Sequence, residues 1–462
     1  MDRDLGRRRA APRGRRPRTD RPRPAPHLDR TRRHLEGAAV TPRPDSPEHH
    51  ARLAGECRRL LAFGDRLALP GGGAAYLGDT GEPLPAQGVR TWITARTAHV
   101  YSLAALMGFP GAEPIADAAL AGLTGPLRDA EHGGWFHALD ASGAPDRAAG
   151  KSCYDHAFVV LAASSAALAD RPGAAALLDE ALTVYLHRFW DEAAGLPLDA
   201  WDCAFTAPEP YRGLNATMHS VEALLAAADA LDALGRPGAG AWRDRADAIA
   251  RFAVDLADRH DGRLPEHFAP DWTPDLDLNR DRPDDPFKPY GATPGHGLEW
   301  SRMLLQVEAL RGGDDALVSA AARLFDRAVA DGWAADGAEG FVYTVDWDGE
   351  PVVRQRMHWV LAEALAAAAA LHRHTGETRY ADHYAAWWDY AERRLIDREH
   401  GSWRHELDPA NAPATAVWPG KPDLYHAVQA TLLPRLPAAP TLARALREGL
   451  LPDANDGNEG AA

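Results

Sequence analysis

The sequence predicts an all-α protein, an (α/α)6 barrel of six helix pairs joined by short β-hairpin-like loops. Three observations carry this. Apolar residues recur at three-and-four spacing through Ala- and Leu-rich segments, the mark of helices that bury one face. Between them a second pattern returns: a charged residue, Gly, then a short aromatic or β-branched stretch. Finally, the helices that follow these stretches open with polar or aromatic side chains, which an open helical solenoid gives no reason to repeat.

Taken in order, the helices are bounded by Gly, Pro and Asp. The first spans 47–68. Helices over 91–107 and 113–129 precede EHGGWFHALDASGAP, and those over 153–169 and 173–189 precede EAAGLPLDAWD. The pair at 215–234 and 240–259 leads into RHDGRLPEHF, and the pair at 295–311 and 314–331 into GAEGFVYTVDWDGEP. Helices over 355–374 and 379–396 come before REHGSWRHELDPANAP. One over 423–433 completes the set, and a thirteenth lies near 439–449. Alternation around Asp-x-Gly turns reads as short hairpins. The unit recurs about every 60 to 80 residues, a period that signals a repeat architecture. Closed into a ring, the inner helices would direct Arg96, Tyr154, His219, His296, Trp359 with Glu363, and His426 toward one mouth.

Length and composition fit a single large domain over 46–450: 462 residues, 45% hydrophobic and 25% charged. The stretch RRRAAPRGRRPRTDRPRPAP is nearly empty of large apolar side chains. Residues 1–45 are therefore expected to be a solvated, disordered extension, and 451–462 a disordered tail. The extension lacks the apolar core of a secretory signal. A net charge of −15 argues against a nucleic-acid partner, which needs a clustered basic face. No uncharged apolar run approaches the roughly 18 residues of a membrane span. Cys57, Cys153 and Cys203 form neither a zinc pattern nor a disulfide framework, which suits a reducing cytoplasm.

The chemistry concentrates in three stretches. PYGATPGHGLEW places His296 and Glu299 three residues apart on one helical face, and NATMHSVEALLAAADA repeats this with His219 and Glu222. Such pairs raise a metal reading, but the di-metal bundle motif runs Glu-x-x-His, the reverse order. No metal and no cofactor are expected. In GKPDLYHAVQATLLPRL, His426 follows Lys421 and Asp423. An imidazole titrates near neutrality and can move a proton in both directions. Two histidines from opposite sides of a cavity suit reversible proton transfer at a carbon next to a carbonyl, with Glu299 placed to fix the tautomer of His296.

RTWITARTAHVYSLAALMG, KSCYDHAFVVLA, LNATMHSVEAL, PYGATPGHGLEWSRML, MHWVLAEALAAA and GKPDLYHAVQATLLP together resemble the N-acylglucosamine 2-epimerase superfamily, in family order from about residue 50 to 435. The GATPGHGLEW and GKPDLYHA stretches look more like its aldose–ketose isomerase branch, the mannose and sulfoquinovose isomerases. The resemblance implies the same barrel fold. It implies His426 as the base at C2, His296 as its acid–base partner in ring opening, and Glu299 as the group that orients His296. Trp92, Arg96, Tyr154, Asn215, His219, Lys288, Trp359 and Glu363 would bind the sugar. Apart from the resemblance, the 14 tryptophans fit a carbohydrate site, and of these Trp92, Trp359 and Trp403 are expected to face the pocket. Lys288 stands where the related isomerases lead one to expect arginine. It lacks the planar fork that suits a sulfonate, which points to a neutral monosaccharide.

The expected function is thus a cytoplasmic, metal-independent isomerase converting an aldose such as mannose to its ketose through an enediol. The alternatives are a sugar 2-epimerase, a sulfoquinovose isomerase, and an inverting glycosidase on the same barrel. The last would need two carboxylates about 6.5–9.5 Å apart, with Glu299 and Glu363 as candidates.

Overall fold

The structure, a computed structural model, describes residues 41–452. The expected N-terminal extension and C-terminal tail fall almost wholly outside the described residues.

Thirteen α-helices are found among the described residues. Six are inner helices: α2 (Thr91–Leu106), α4 (Cys153–Leu168), α6 (Leu214–Ala233), α8 (Pro294–Arg311), α10 (His358–Thr375) and α12 (Tyr425–Leu432). Each packs on the next, and α12 returns to α2. That contact closes the ring. The outer helices α3 (Ala112–Thr124), α5 (Ala174–Val184), α7 (Ala239–Arg259), α9 (Asp315–Gly332) and α11 (Thr378–Tyr390) each lie against the inner helix that precedes them. The sixth outer position belongs to α1 (Pro47–Phe63), which packs on α12. The two ends of the barrel chain are therefore neighbours.

Burial separates the two layers. In α7 the buried positions Trp242, Ala246, Ile249, Ala250, Ala253, Leu256 and Ala257 follow the three-and-four period of a one-sided helix. Inner helices such as α4 are buried around nearly their whole circumference, because the outer layer covers one side and the ring the other. Side-chain caps mark several starts: Ser46 accepts from the backbone of His49, Ser152 from Asp155, and Asp314 from Ala316 and Leu317.

The hairpin stretches form a belt at one mouth. The strand that enters each inner helix pairs antiparallel with the hairpin that follows the next outer helix. Val89–Arg90 pairs with Ala138–Leu139, Lys151–Ser152 with Ala200–Trp201, Arg212–Gly213 with His267–Phe268, and Arg356–Met357 with Glu406–Leu407. Ala292 bridges Val345 in the fourth repeat, and Lys421 donates its backbone N–H to Leu77 in the sixth. The tight approach explains Gly291, at φ +94°: a Cβ there would lie 2.2 Å from the Val345 carbonyl oxygen.

Several boundaries shift from expectation. The helix expected from 355 starts at His358, since Arg356–Met357 is spent on the belt. The helix expected over 113–129 stops at Thr124, before Gly125. The thirteenth helix is only Leu442–Arg447, α13, and packs across α2, α4 and α6. The backbone and hydroxyl of Thr441 donate to Asp229 of α6 at 2.8 and 2.9 Å. That contact fastens α13 across the end of the barrel opposite the belt.

Candidate active site

The N-terminal ends of the inner helices surround a cavity walled by aromatic rings and a few converging polar groups, the make-up of a small-molecule site. His296, in the first turn of α8, has its Nδ1 2.8 Å from Glu266 Oε1. Glu266 is 4% exposed and lies in the hairpin after α7. A buried carboxylate accepts only, so Nδ1 carries the proton and Nε2 keeps its lone pair. Across the mouth, His426 Nδ1 lies 3.1 Å from Glu363 Oε1, which gives His426 the same tautomer. The Trp359 indole stands between the two imidazoles, at centroid distances of 5.2 Å from His296 and 5.8 Å from His426. Gly295 permits this, since a Cβ there would meet the indole at 2.6 Å.

Beneath the histidines the charges interlock. Arg302 of α8 donates to the other Glu363 oxygen at 2.9 Å and lies 3.7 Å from Glu299. Glu222 accepts from the Tyr425 hydroxyl and from Gln429, the latter at 3.1 Å. Arg96 donates to Asp423 at 3.2 Å and to the Tyr154 hydroxyl at 2.8 Å, and lies over the Phe158 ring at 4.3 Å. Burial, then the Arg96 guanidinium, hold His426 well below the usual histidine range. It is therefore neutral near pH 7, as a base must be. Burial holds His219 at about 4. Burial, and then the Glu363 carboxylate, push Glu299 well above the usual carboxylate range, which favours its protonated form.

Of the residues singled out in the sequence, His296, His426, Glu299, Trp92 and Arg96 line the cavity, as do Tyr154, Asn215, His219 and Trp359. Three are elsewhere. Lys288 turns away to Glu209 at 3.0 Å and caps the Tyr211 ring at 3.8 Å. Trp403 is fully buried, donating to Glu56 at 2.8 Å. Glu363 sits behind His426 rather than on the cavity wall. The expected orienting contact is also different: Glu266 holds His296, while Glu299 lies 3.9 Å from His219. Position i+3 on a helix proved weaker than a hairpin carboxylate that reaches the ring end-on.

The sequence reading missed Glu266, Asp423, Tyr343, Trp418, His358 and His405 as site residues. All but Glu266 line the cavity. His358 opens α10 and satisfied the rule that found its neighbours. Glu266 and His405 carried a signal visible only by superposing repeats. The carbonyls of His137, Asp199, Glu266 and His405 accept the backbone N–H of the residue that starts α2 (Thr91), α4 (Cys153), α6 (Leu214) and α10 (His358). They occupy one equivalent place in the hairpin belt.

A closed helical ring that brings two carboxylate-backed imidazoles to one cavity has the make-up of a barrel enzyme suited to acid–base chemistry. The family model of N-acylglucosamine 2-epimerase (GlcNAc 2-epimerase) matches residues 72–430, and the chain belongs to that family. It is 53% identical to a D-mannose isomerase of Thermobifida fusca over 403 residues, covering 86% of this chain and 97% of that one. A D-mannose isomerase of Pseudomonas cannabina pv. alisalensis is 46% identical over 408 residues, 87% of this chain and 96% of the relative. A crystal structure of D-mannose isomerase superposes with a TM-score of 0.76 at 27% identity, over 84% of this chain and 98% of that one.

Proposed function

We propose that this chain is an aldose–ketose isomerase that converts D-mannose to D-fructose by imidazole-mediated proton transfer. The observation that carries the reading is the pair His296 and His426, each backed by its own carboxylate, on either side of Trp359. The class of reaction is supported by relatives at 53% and 46% identity spanning nearly their whole length.

Once the sugar ring has opened, His426 Nε2 takes the C2 proton and the electron pair forms the C1=C2 bond of an enediol, O1 gaining a proton. The proton then returns to C1, O2 loses its own, and the C2 carbonyl forms. Neutrality of His426 leaves its lone pair available for the first step. His296 serves the oxygens and ring opening, and Glu266 stabilises the imidazolium it becomes in doing so. Glu299, as a neutral acid, and Arg96 are hydrogen-bond donors toward the developing oxyanion. Trp92, Tyr154, Asn215 and His219 complete the sugar contacts.

Engagement of Lys288 by Glu209 leaves no free cation there for a sulfonate, which supports a neutral sugar. Engagement of Glu363 by His426 and Arg302 removes one of the two carboxylates an inverting glycosidase would need. This reading uses no metal, and in its support Glu222, Glu266 and Glu363 each already hold a side-chain donor. A cytoplasmic location is part of this reading, supported by three cysteines that pair with none of each other. No described helix is long and apolar enough to cross a membrane.

The test is NMR of D-mannose incubated with the protein in heavy water. Fructose carrying deuterium is expected. Return of label to C2 with glucose as the main product would instead make the enzyme a 2-epimerase.

A further inference from the structure

Two cavity histidines have no part in the chemistry above. The rings of His358 and His405 are stacked, 3.8 Å apart and 17° from parallel, and His358 meets His426 edge-on at 6.3 Å. They are 5% and 6% exposed. In both, Nε2 is buried and has no hydrogen-bond partner among the described residues. The other nitrogen is spent on the backbone. His358 Nδ1 lies 3.3 Å from the His405 carbonyl oxygen, and the Asp423 carbonyl faces the His405 ring.

A ring that gives its N–H to a carbonyl keeps a bare lone pair on its second nitrogen. A buried acceptor left without a donor is costly, and two side by side on one cavity wall call for an explanation. Stacking also opposes protonation of both rings together, since two imidazolium charges would then face each other. Burial holds His358 at about 4 and His405 well below the usual range. The pair therefore presents two acceptors and no donor.

We propose that His358 and His405 form a specificity subsite in which the two Nε2 atoms accept hydrogen bonds from two hydroxyl groups of an uncharged sugar, beyond the carbons at which His426 acts. The inference rests on the sugar reading of the cavity. It does not depend on which proton transfer follows. Vicinal hydroxyls on an open-chain sugar supply two adjacent donors. A phosphate, sulfonate or carboxylate at that place offers none.

The test is equilibrium binding by calorimetry, which needs no turnover, using D-glucitol and its mono-deoxy derivatives with the full chain. In the wild type, removing a seated hydroxyl is expected to weaken binding about tenfold, as a lost and now unsatisfied buried hydrogen bond does. In His358→Phe or His405→Phe the same deoxy derivative should bind no worse than D-glucitol, because its partner has gone. His358→Gln and His405→Gln, which retain an acceptor, should restore the discrimination in part. A purely structural role would give additive losses, with every deoxy derivative penalised equally in wild type and variants. That result overturns the proposal, as does a wild type indifferent to all the deoxy derivatives. Should the Phe variants fail to fold, the Gln variants and the wild-type deoxy series decide. Wild-type turnover of mannose tests the isomerase reading separately.

Discussion

Replacing Glu266 by Gln keeps the shape of the side chain and removes its charge. In the structure Glu266 Oε1 lies 2.8 Å from His296 Nδ1, with both groups buried. A hydrogen bond to a charged group contributes about 1.5–3 kcal/mol, against about 0.5–1.5 kcal/mol for a neutral one. The difference of about 1–1.5 kcal/mol is felt fully only when His296 carries the transferred proton, so it falls on the transition state. About a tenfold loss of kcat follows, since roughly 1.4 kcal/mol is one decade. If the amide turns its NH2 toward Nδ1, the ring must adopt the opposite tautomer and the loss grows to about a hundredfold. The KM for D-mannose should change by less than about threefold, because Glu266 is not on the cavity wall. Glu299→Gln is the control. Burial and Glu363 already favour the protonated form of Glu299, which Gln matches in charge and size, and turnover should stay within about threefold. The assay is initial-rate ketose formation from D-mannose near neutral pH for both variants. Full activity in Glu266→Gln together with collapse in Glu299→Gln would refute the reasoning and return the orienting role to the helical i+3 neighbour.

His426→Ala and His296→Ala should each fold and each lose roughly 10²–10⁴ in turnover, the usual cost of a general acid or base. In heavy water the His426 variant should not exchange the C2 hydrogen, whereas the His296 variant should still exchange it slowly; wild-type exchange without His426 would move the base elsewhere. Stability should fall steeply on acidification below pH 6.5. His99, His156, His219 and His358 are held at about 4 by burial and His49 at about 3, so between those values and 6.5 only the unfolded chain binds their protons. Each contributes a slope of roughly 1.4 kcal/mol per pH unit in that window, and urea midpoints unchanged from pH 7 to 5 would contradict it. Thorough chelation should leave turnover intact; loss with EDTA, restored by one divalent ion, would show that a metal takes part.

The sequence by itself determined the helices, their pairing and the ring. These follow from local period and from a hairpin signal repeated along the chain, and neither needs to know which residues meet. It also found His219, His296 and His426, because each sits in the opening turns of an inner helix, where a closed ring leaves one direction to face. Tertiary structure decided the rest. Two positions on one helix turn are neighbours in any helix, so His296 and Glu299 look paired in the sequence. In the fold, the strand entering α6 is drawn against the hairpin after α7, and that pairing carries Glu266 to His296 instead. A like pairing stacks His405 on His358 from 47 residues away, and the packing of α10 on α12 brings Glu363 to His426. The positions of Glu266 and His405 depend on the register of two-residue strands between repeats. A shift of one residue there would turn each of these side chains to the opposite face, and no periodicity in the chain records which register the belt adopts.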